Sequence, residues 1–399
     1  MTDFCRTIER SPLLFHQDLS CCNSDLTEII QGSRFLIVGG AGSIGQAVVK
    51  QLLQRKPLAL HVIDLSENNL AELVRDIRSS NVKTVHESKE FRTFALDVNS
   101  DEFDYFIEVH NNYDYIFNLA ALKHVRSEKD PYTLMRMLQV NVLLAGKLAK
   151  IAAAMGVRKY FSVSSDKASN PVNIMGASKR IMEMMLYKQK DRVSVVSARF
   201  ANVAFSDGSL LHSFKMRIEK CQPIVAPTDI KRYFISDEEA GQLCVIAALL
   251  GENGDIFFPK LDSSTKLVAL SKIACNYVQS QGYIPMMCDS EEEARSRVKE
   301  LSDVGKWPCF FSKTDTTGEK PFEEFYDIEE QIDQERFSAI GIVKNFPNFD
   351  ASRIDKFESS ILELINHRTW TKEQLVNLVS ATVPQFRHME LGKSLDEKM

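Results

Sequence analysis

Between residues 34 and 200, short apolar runs alternate with stretches whose apolar residues recur every three or four positions. The short runs predict strands at 34–39, 59–64, 91–96, 114–119, 158–164 and 193–200. Several are continuously apolar or aromatic, the pattern of strands covered on both faces of a sheet. The periodic stretches predict helices over about 43–54 and near 66–79, 132–155 and 174–190. Ser66 or Asn68 can cap the second of these, and Pro131 suits the opening turn of the third. Strand and helix in alternation predict an α/β fold with a doubly wound parallel sheet. After Phe200 the rhythm breaks. Residues 206–228 carry Gly208, Pro223 and Pro227, 237–250 predict a helix and 255–259 a strand. The charged run 289–300 is a solvated helix or loop, and 351–382 predict two amphipathic helices, the second opened by Trp370 or Thr371.

The first apolar strand runs into Gly39-x-x-Gly42-x-x-Gly45, and a helix follows directly. One glycine allows a tight turn, one lets the backbone approach a pyrophosphate, and one lets helix and strand pack closely. Ser43 and Ile44 then open a helix whose free N–H groups face the anion. The second strand ends in Asp64, 19 residues past Gly45, where a carboxylate accepts hydrogen bonds from a ribose 2′-OH. A 2′-phosphate would be repelled there, so the reading is NAD rather than NADP. Asp97 closes the third strand, where it can meet the adenine amino group or cap the next turn. Ala120 follows the fourth strand on the same edge. The fold class is therefore Rossmann-type, with a smaller substrate-binding lobe and a helical C-terminal extension. The expected boundaries are an N-terminal arm (1–30), the NAD-binding domain (31–205, with 229–260 returning to it), the lobe (206–228 and 261–330) and the extension (331–399).

Composition narrows the classes. The chain is 399 residues long, 44% hydrophobic, with a net charge of −5 and both signs well mixed. No polybasic surface points to nucleic acid or anionic lipid. The N-terminus has no signal-peptide pattern, and no run of about 18 uncharged apolar residues predicts a membrane span. Eight scattered cysteines without a C-x-x-C pair argue against a zinc site, so no metal is expected. They fit a reduced compartment, and the expected location is the cytoplasm.

The run from Tyr160 to Lys179 (YFSVSSDKASNPVNIMGASK) carries the chemistry. A buried strand ends in Ser164, Ser165, Asp166 and Lys167, and after a loop a helix sets Met175 and Lys179 on one face. Singly, Ser165 can satisfy backbone, Asp166 can cap and Lys167 can be a surface charge. Together at the sheet edge, Ser165, Asp166, Lys167 and Lys179 make an acid–base site beside a nicotinamide the better reading.

The glycine turn together with SSDKASNPVNIMGASKR resembles the extended short-chain dehydrogenase/reductase superfamily, and more narrowly its capsular-polysaccharide branch, the UDP-N-acetylglucosamine 4,6-dehydratases. Ala121–Val125 (ALKHV), Asn141-Val142, Arg199–Val203 (RFANV) and Lys231–Ile235 (KRYFI) match too, so the resemblance covers about residues 32–260. The stretch from Trp307 to Phe325 resembles soluble members of nucleotide-sugar gene clusters.

The resemblance implies a UDP-sugar substrate and a tightly bound, recycled NAD. It implies Asp166 as the acid for the departing C6 hydroxyl and Lys167 as the C5 base, which requires a depressed pKa. Lys179 would hold the nicotinamide ribose, and Ser165 would bond the C4 oxygen. A homo-oligomer is implied as well. One position departs from most of the superfamily: Met175 stands where a tyrosine usually takes the C4 proton. The expectation is that Ser165, backed by Asp166 or Lys179, relays that proton. Lys123 and His124 follow the fourth strand and can meet substrate or cofactor, and His124 can equally have a surface or packing role. Asn202 and Arg232 can hold the diphosphate, or Arg232 can anchor the lobe by a salt bridge. No chemistry is assigned to Thr314–Lys320. Rival readings are a C5-inverting dehydratase or an epimerase of the same fold, and a non-catalytic NAD-binding regulator, which Met175 favours.

Overall fold

A computed structural model describes residues 3–11, 14–80, 90–260, 267–314, 323–344 and 349–388. Residues 315–322, most of the polar stretch noted above, lie outside the described residues, as do 389–399 of the expected extension. Two helices, α1 (Asp3–Ile8) and α2 (His16–Gln31), precede the alternating part. That part runs β1 (Arg34–Val38), α3 (Ser43–Leu53), β2 (Ala59–Asp64), α4 (Glu67–Ser79), β3 (Phe91–Ala95), α5 (Asp101–Val109) and β4 (Tyr115–Asn118). It continues through α6 (Pro131–Leu138), α7 (Leu144–Met155), β5 (Lys159–Val163), α8 (Ile174–Lys188) and β6 (Val195–Ala198).

These six strands are parallel, and β1 pairs with both β2 and β4. The chain therefore reverses its direction of winding at β1. The loops after β1 and β4 diverge there and open a crevice at the carboxyl edge of the sheet, where such folds bind ligands. Buried apolar residues such as Leu36, Ile37, Ile116, Phe117 and Phe161 fill both faces.

Beyond β6 come β7 (Asn202–Val203), α9 (Leu210–Glu219), β8 (Ile224–Pro227), β9 (Lys231–Arg232), β10 (Phe234–Ile235), α10 (Asp237–Leu250) and β11 (Ile256–Pro259). α10 packs on α3, and β11 adds a parallel strand beside β6. Then follow β12 (Val268–Ala269), α11 (Leu270–Ser280), β13 (Ile284–Met287), α12 (Glu291–Ser296), α13 (Val298–Ser302) and β14 (Lys306–Ser312). β13, β14 and β8 form a second parallel sheet with its own core around Phe214, Ile224, Tyr277 and Trp307. This is the smaller lobe. Breaks in the sequence rhythm hid α9 and α11 inside it.

The N-terminal segment divides between the two cores: Phe4 and Ile8 of α1 join the lobe, while Phe15, Leu26 and Ile30 join the main core. Arg10 grips Glu239 with two hydrogen bonds of 2.8 and 2.7 Å.

The last segment is not helical throughout. β15 (Ile332–Asp333) pairs antiparallel with β16 (Ile340–Val343), which pairs antiparallel with β11, so the main sheet has nine strands among the described residues. Only then come α14 (Ala351–His367) and α15 (Lys372–Thr382), the latter opened by a Thr371–Gln374 capping box. Both pack on α8, and Trp370 donates to the Pro131 carbonyl at 3.0 Å. Buried Ile354, Phe357, Ile361, Leu375 and Val379 seal that contact, each contributing roughly 1.5–3 kcal/mol. As a result Ile174–Leu186 of α8 is buried along its whole length.

The expected helix 132–155 is continuous, with a π-helical turn at Gln139–Leu143. Among the described residues Pro131–Met155 is the one helix long and apolar enough to cross a membrane, and 61% of its apolar window is buried against the rest of the fold. Most of that window is thus packed in the core.

Candidate active site

The glycine turn leads directly from β1 to the N-terminus of α3. Gly39 has φ +75°, and a Cβ there would stand 2.5 Å from the Ala120 nitrogen, so the two crevice loops touch at this point. A Cβ on Gly45 would meet the Gly39 carbonyl oxygen at 2.3 Å. Gly42 differs: its nearest neighbour would be 3.6 Å away. Its missing side chain therefore leaves room outside the protein's own packing, at the mouth of a helix N-terminus. That is the cradle a pyrophosphate fills.

Asp64 ends β2 beside this turn. Its two oxygens accept from the N–H groups of Ala41 (3.0 Å) and Ser66 (2.9 Å), which fixes the carboxylate while each oxygen retains acceptor capacity. These residues fit a dinucleotide with a free 2′-OH. Asp97 accepts from Asn99 N–H at 2.9 Å, so its turn-capping role is realised. Ser43 Oγ accepts from Asp207 N–H at 3.0 Å, tying the start of α3 to the chain beyond β7. Ile44 packs against the main core.

Across the crevice the π-helical turn has a visible purpose. It presents Asn141 so that its side chain pairs with both backbone groups of Leu122, at 2.9 Å each, and donates to Ser178 Oγ at 2.9 Å. One amide thus joins the loop after β4 to α8, one residue before Lys179. Sequence reasoning noted Asn141 only as part of a matching stretch. Lys123 Nζ donates to Ser206 Oγ at 3.1 Å, and His124 lies against Gly208, where a Cβ would be 2.7 Å from Nε2.

The end of β5 brings the acid–base residues together. Ser165 Oγ donates to Asp166 Oδ1 at 2.8 Å, and Lys167 Nζ lies 3.2 and 3.3 Å from the two Asp166 oxygens. Asp166 is buried, whereas the Lys167 side chain keeps 26% exposure. The short turn carrying them rests on the start of α8, where a Cβ on Gly176 would stand 2.2 Å from the Lys167 carbonyl oxygen. Asn173 caps the helix by accepting from Gly176 N–H at 2.8 Å.

Lys179 donates to the Val163 carbonyl at 3.0 Å. Burial pushes its ammonium down to about 8, with Glu183 opposing. Met175 is buried in the main core, and its N–H donates to Glu128 at 2.8 Å. Of the two backings considered for Ser165, the geometry realises Asp166; Lys179 is turned to the strand carbonyl.

A residue not foreseen faces Asn202 and Arg232. Glu323 reaches in from beyond β14 and is buried. Its carboxylate accepts from Asn202 Nδ2 and, at 3.4 Å, from Tyr233 N–H, and lies 3.7 Å from Arg232 Nε. Asn202, read from the sequence as a diphosphate contact, and Arg232, read as a diphosphate contact or a salt-bridge anchor, therefore both face Glu323, and for Arg232 the salt bridge is the arrangement present. Burial, reinforced by the Asp166 charge, pushes Glu323 up to about 7, against the pull of Arg232 and Lys167.

A buried ion network holds this segment down. Arg199 bonds Glu183 (2.9 and 2.8 Å), Glu330 (2.7 and 2.8 Å) and the Phe325 carbonyl (2.7 Å). Arg180 adds a 2.9 Å bond to Glu330, and Phe325 stacks on Phe258 at 6.0 Å. The available signal was a pair of carboxylates set among aromatic residues in PFEEFY.

The sheet order, the glycine cradle and the strand-edge acid–base residues together define an α/β protein of the extended short-chain dehydrogenase/reductase type. More particularly, the chain belongs to the polysaccharide biosynthesis protein family, which matches residues 35–299. It is 32% identical to an uncharacterized membrane protein of Methanocaldococcus jannaschii over 77% of this chain and 84% of that one. It is 28% identical to the probable polysaccharide biosynthesis protein EpsC of Bacillus subtilis over 70% of this chain, but spans only 46% of EpsC. It is also 28% identical to the inverting UDP-N-acetylglucosamine 4,6-dehydratase of Campylobacter jejuni, covering 59% of this chain and 69% of that enzyme.

Among solved structures, Pen from Bacillus thuringiensis matches with a TM-score of 0.65 at 22% identity, covering 88% of this chain and 98% of Pen. The Bordetella bronchiseptica enzyme WbmF, solved with NAD+ and UDP, matches with a TM-score of 0.51 at 18% identity over 64% of this chain and 79% of WbmF. Both share the fold.

Proposed function

We propose that the protein is an NAD-dependent nucleotide-sugar 4,6-dehydratase that converts UDP-N-acetylglucosamine to a UDP-4-keto-6-deoxy-N-acetylhexosamine for surface-glycan synthesis. The observation that carries this reading is the Ser165–Asp166–Lys167 constellation at the end of β5, one carboxylate joined to both a hydroxyl and an ammonium. Family membership supports a nucleotide-sugar-modifying activity. The Campylobacter relative supports the reaction, and the WbmF complex supports NAD and UDP as ligands.

Elimination across C5 and C6 needs an acid at one carbon and a base at the next. NAD, when bound, would supply the redox chemistry, accepting a hydride from C4 and returning it at C6, so it is regenerated. Ser165 passes the C4 hydroxyl proton to Asp166 through their 2.8 Å hydrogen bond. Asp166 then gives that proton to the C6 hydroxyl, which leaves as water. Lys167 removes the C5 proton and returns it once C6 is reduced. Substrate protons balance: the C4 proton leaves in water and the C5 proton is restored. Lys179 orients the nicotinamide ribose, Arg232 pairs with Glu323 and so anchors the chain beyond β14, and Met175 has no proton to exchange.

A C5-inverting course uses the same residues, and the similarity to the inverting dehydratase of Campylobacter favours it over epimerization at C4. An epimerase has no use for an acid–base pair at C5 and C6. We further propose that the protein works in the cytoplasm, in keeping with its free cysteines, and as a homo-oligomer. Because α14 and α15 cover α8, the subunit contact would use another face. Mass spectrometry of UDP-N-acetylglucosamine after incubation tests the reading: loss of the elements of water is expected with Asp166 present and not with Asp166→Asn. An unchanged mass with wild-type protein would overturn it.

A further inference from the structure

Two side chains share the start of α8. The first turn of a helix leaves N–H groups with no partner inside the helix. Asn173 takes that of Gly176, and Glu128 Oε1 takes that of Met175 at 2.8 Å. The partial positive charge of a helix start also favours a carboxylate there. Glu128 is not part of α8; it ends the short turn Val125–Glu128 in the chain after β4. Its bond therefore sets the beginning of α8 against a different element. The position matters to the site, because Gly176 abuts the Lys167 carbonyl and Lys179 follows on the same helix.

The other oxygen of Glu128 is less well served. The side chain is 7% exposed, and among the described residues no hydrogen bond reaches Oε2. Burying a carboxylate oxygen without a donor is costly. His388 faces it, with Nε2 at 3.8 Å, within ion-pair reach. The chain beyond α15 brings His388 there. Val383 and Phe386 are buried in the main core, and the Phe386 and His388 rings lie 5.5 Å apart. Between them Arg387 N–H donates to the Pro171 carbonyl at 3.2 Å. Pro171 stands in the loop that joins Lys167 to α8, so the segment meets that loop directly and meets the helix start through Glu128.

We propose that Phe386–His388 is a latch on the catalytic loop and that Glu128 and His388 are positioning residues for the reaction. Glu128 holds the start of α8, and with it the seat of the Lys167 turn and the line of Lys179. His388 holds Glu128 by serving its second oxygen. Nε2 carries a proton in the imidazolium and in one neutral tautomer, so the imidazole has a donor to offer in either charge state. Neither residue exchanges a proton with substrate. The kinetic part of this proposal rests on the dehydratase reading; the latch itself does not.

Hydrogen exchange of the purified full-length protein, read by mass spectrometry, tests the latch without any substrate. His388→Ala is expected to speed exchange in a peptide covering 169–179 by about fivefold or more, and to leave the glycine turn at 39–45 unchanged. Unchanged exchange at 169–179, or an equal rise throughout the chain, would overturn the latch.

Turnover of UDP-N-acetylglucosamine tests the positioning role. His388→Ala is expected to lower kcat about tenfold and to change KM by less than about threefold. His388→Gln, whose amide nitrogen can stand where Nε2 stands, should recover at least about half of the wild-type kcat. In a Glu128→Ala background, adding His388→Ala should change kcat by less than about twofold, because the two residues act as one unit. If Glu128→Ala fails to fold, the comparison of His388→Ala with His388→Gln decides, and an equal loss in both would refute the role. Faster exchange with an undiminished kcat in His388→Ala would also refute it and leave the dehydratase standing. A wild type inert towards the substrate would sink the dehydratase reading and the kinetic role with it, while the exchange comparison would still decide the latch.

Discussion

Replacing Glu330 by alanine tests how the C-terminal segment is held against the sheet. Glu330 is fully buried and accepts hydrogen bonds of 2.7 and 2.8 Å from Arg199 and 2.9 Å from Arg180. Its removal leaves two buried guanidinium groups sharing Glu183 and the 3.7 Å contact of Arg180 with Asp327. Breaking a buried pair by deleting one partner costs about 3–5 kcal/mol, because the surviving charge is left desolvated. Urea unfolding at pH 7, followed by circular dichroism, should show that loss without a change in slope.

The pH dependence gives an independent check. Burial alone would raise Glu330, but the hydrogen bond and charge of Arg199, joined by Arg180, outweigh it and hold the group at about 2. A carboxylate depressed in the folded state stabilises above its unfolded value, 4.5, and loses that contribution as pH falls through the folded one. The wild-type advantage over Glu330→Ala should therefore be constant from pH 7 to 5 and shrink towards pH 2. A difference below about 1 kcal/mol at pH 7 would refute the clamp as an energetic feature.

The other expectations concern the crevice. Gly45→Ala forces a Cβ to within 2.3 Å of the Gly39 oxygen and should lower the melting temperature, whereas Gly42→Ala has room and should fold but bind NAD at least about tenfold more weakly by calorimetry. Lys179 is a lysine with its folded value lowered to about 8, so the wild type should gain stability as pH rises from 8 towards 10.5. Lys179→Met should therefore be the more stable protein at pH 7, by up to about 3 kcal/mol less the lost Val163 hydrogen bond, yet inactive, as cofactor-free unfolding and turnover assays would show. Asn141→Ala should lose about 1–3 kcal/mol, since three bonds linking the β4 loop and α8 go with it.

The six parallel strands and the glycine cradle were legible because each is written locally, in apolar runs of strand length and in glycines at fixed offsets. Ser165, Asp166 and Lys167 were legible for the same reason: consecutive residues at a strand end must share one edge. Glu323 and Glu330 were not. They lie more than 120 residues beyond their partners Arg199 and Asn202, and only the tertiary fold of β15 and β16 onto the main sheet brings them back. For Arg232 a salt bridge was one of two readings, but its partner was hidden likewise, since a buried arginine answers to whatever carboxylate the fold supplies. The strands in the last segment escaped notice because β15 has two residues and β16 only four. The π-helical turn was invisible to periodicity, which changes little over five residues.

The most direct test of the central claim is proton NMR of purified protein incubated with UDP-N-acetylglucosamine in deuterated water, without added NAD. The account predicts a 4-keto-6-deoxy product carrying deuterium at C5, whose coupling pattern also reveals the C5 configuration. Recovery of unaltered substrate, or of its C4 epimer without loss of the C6 oxygen, would contradict it.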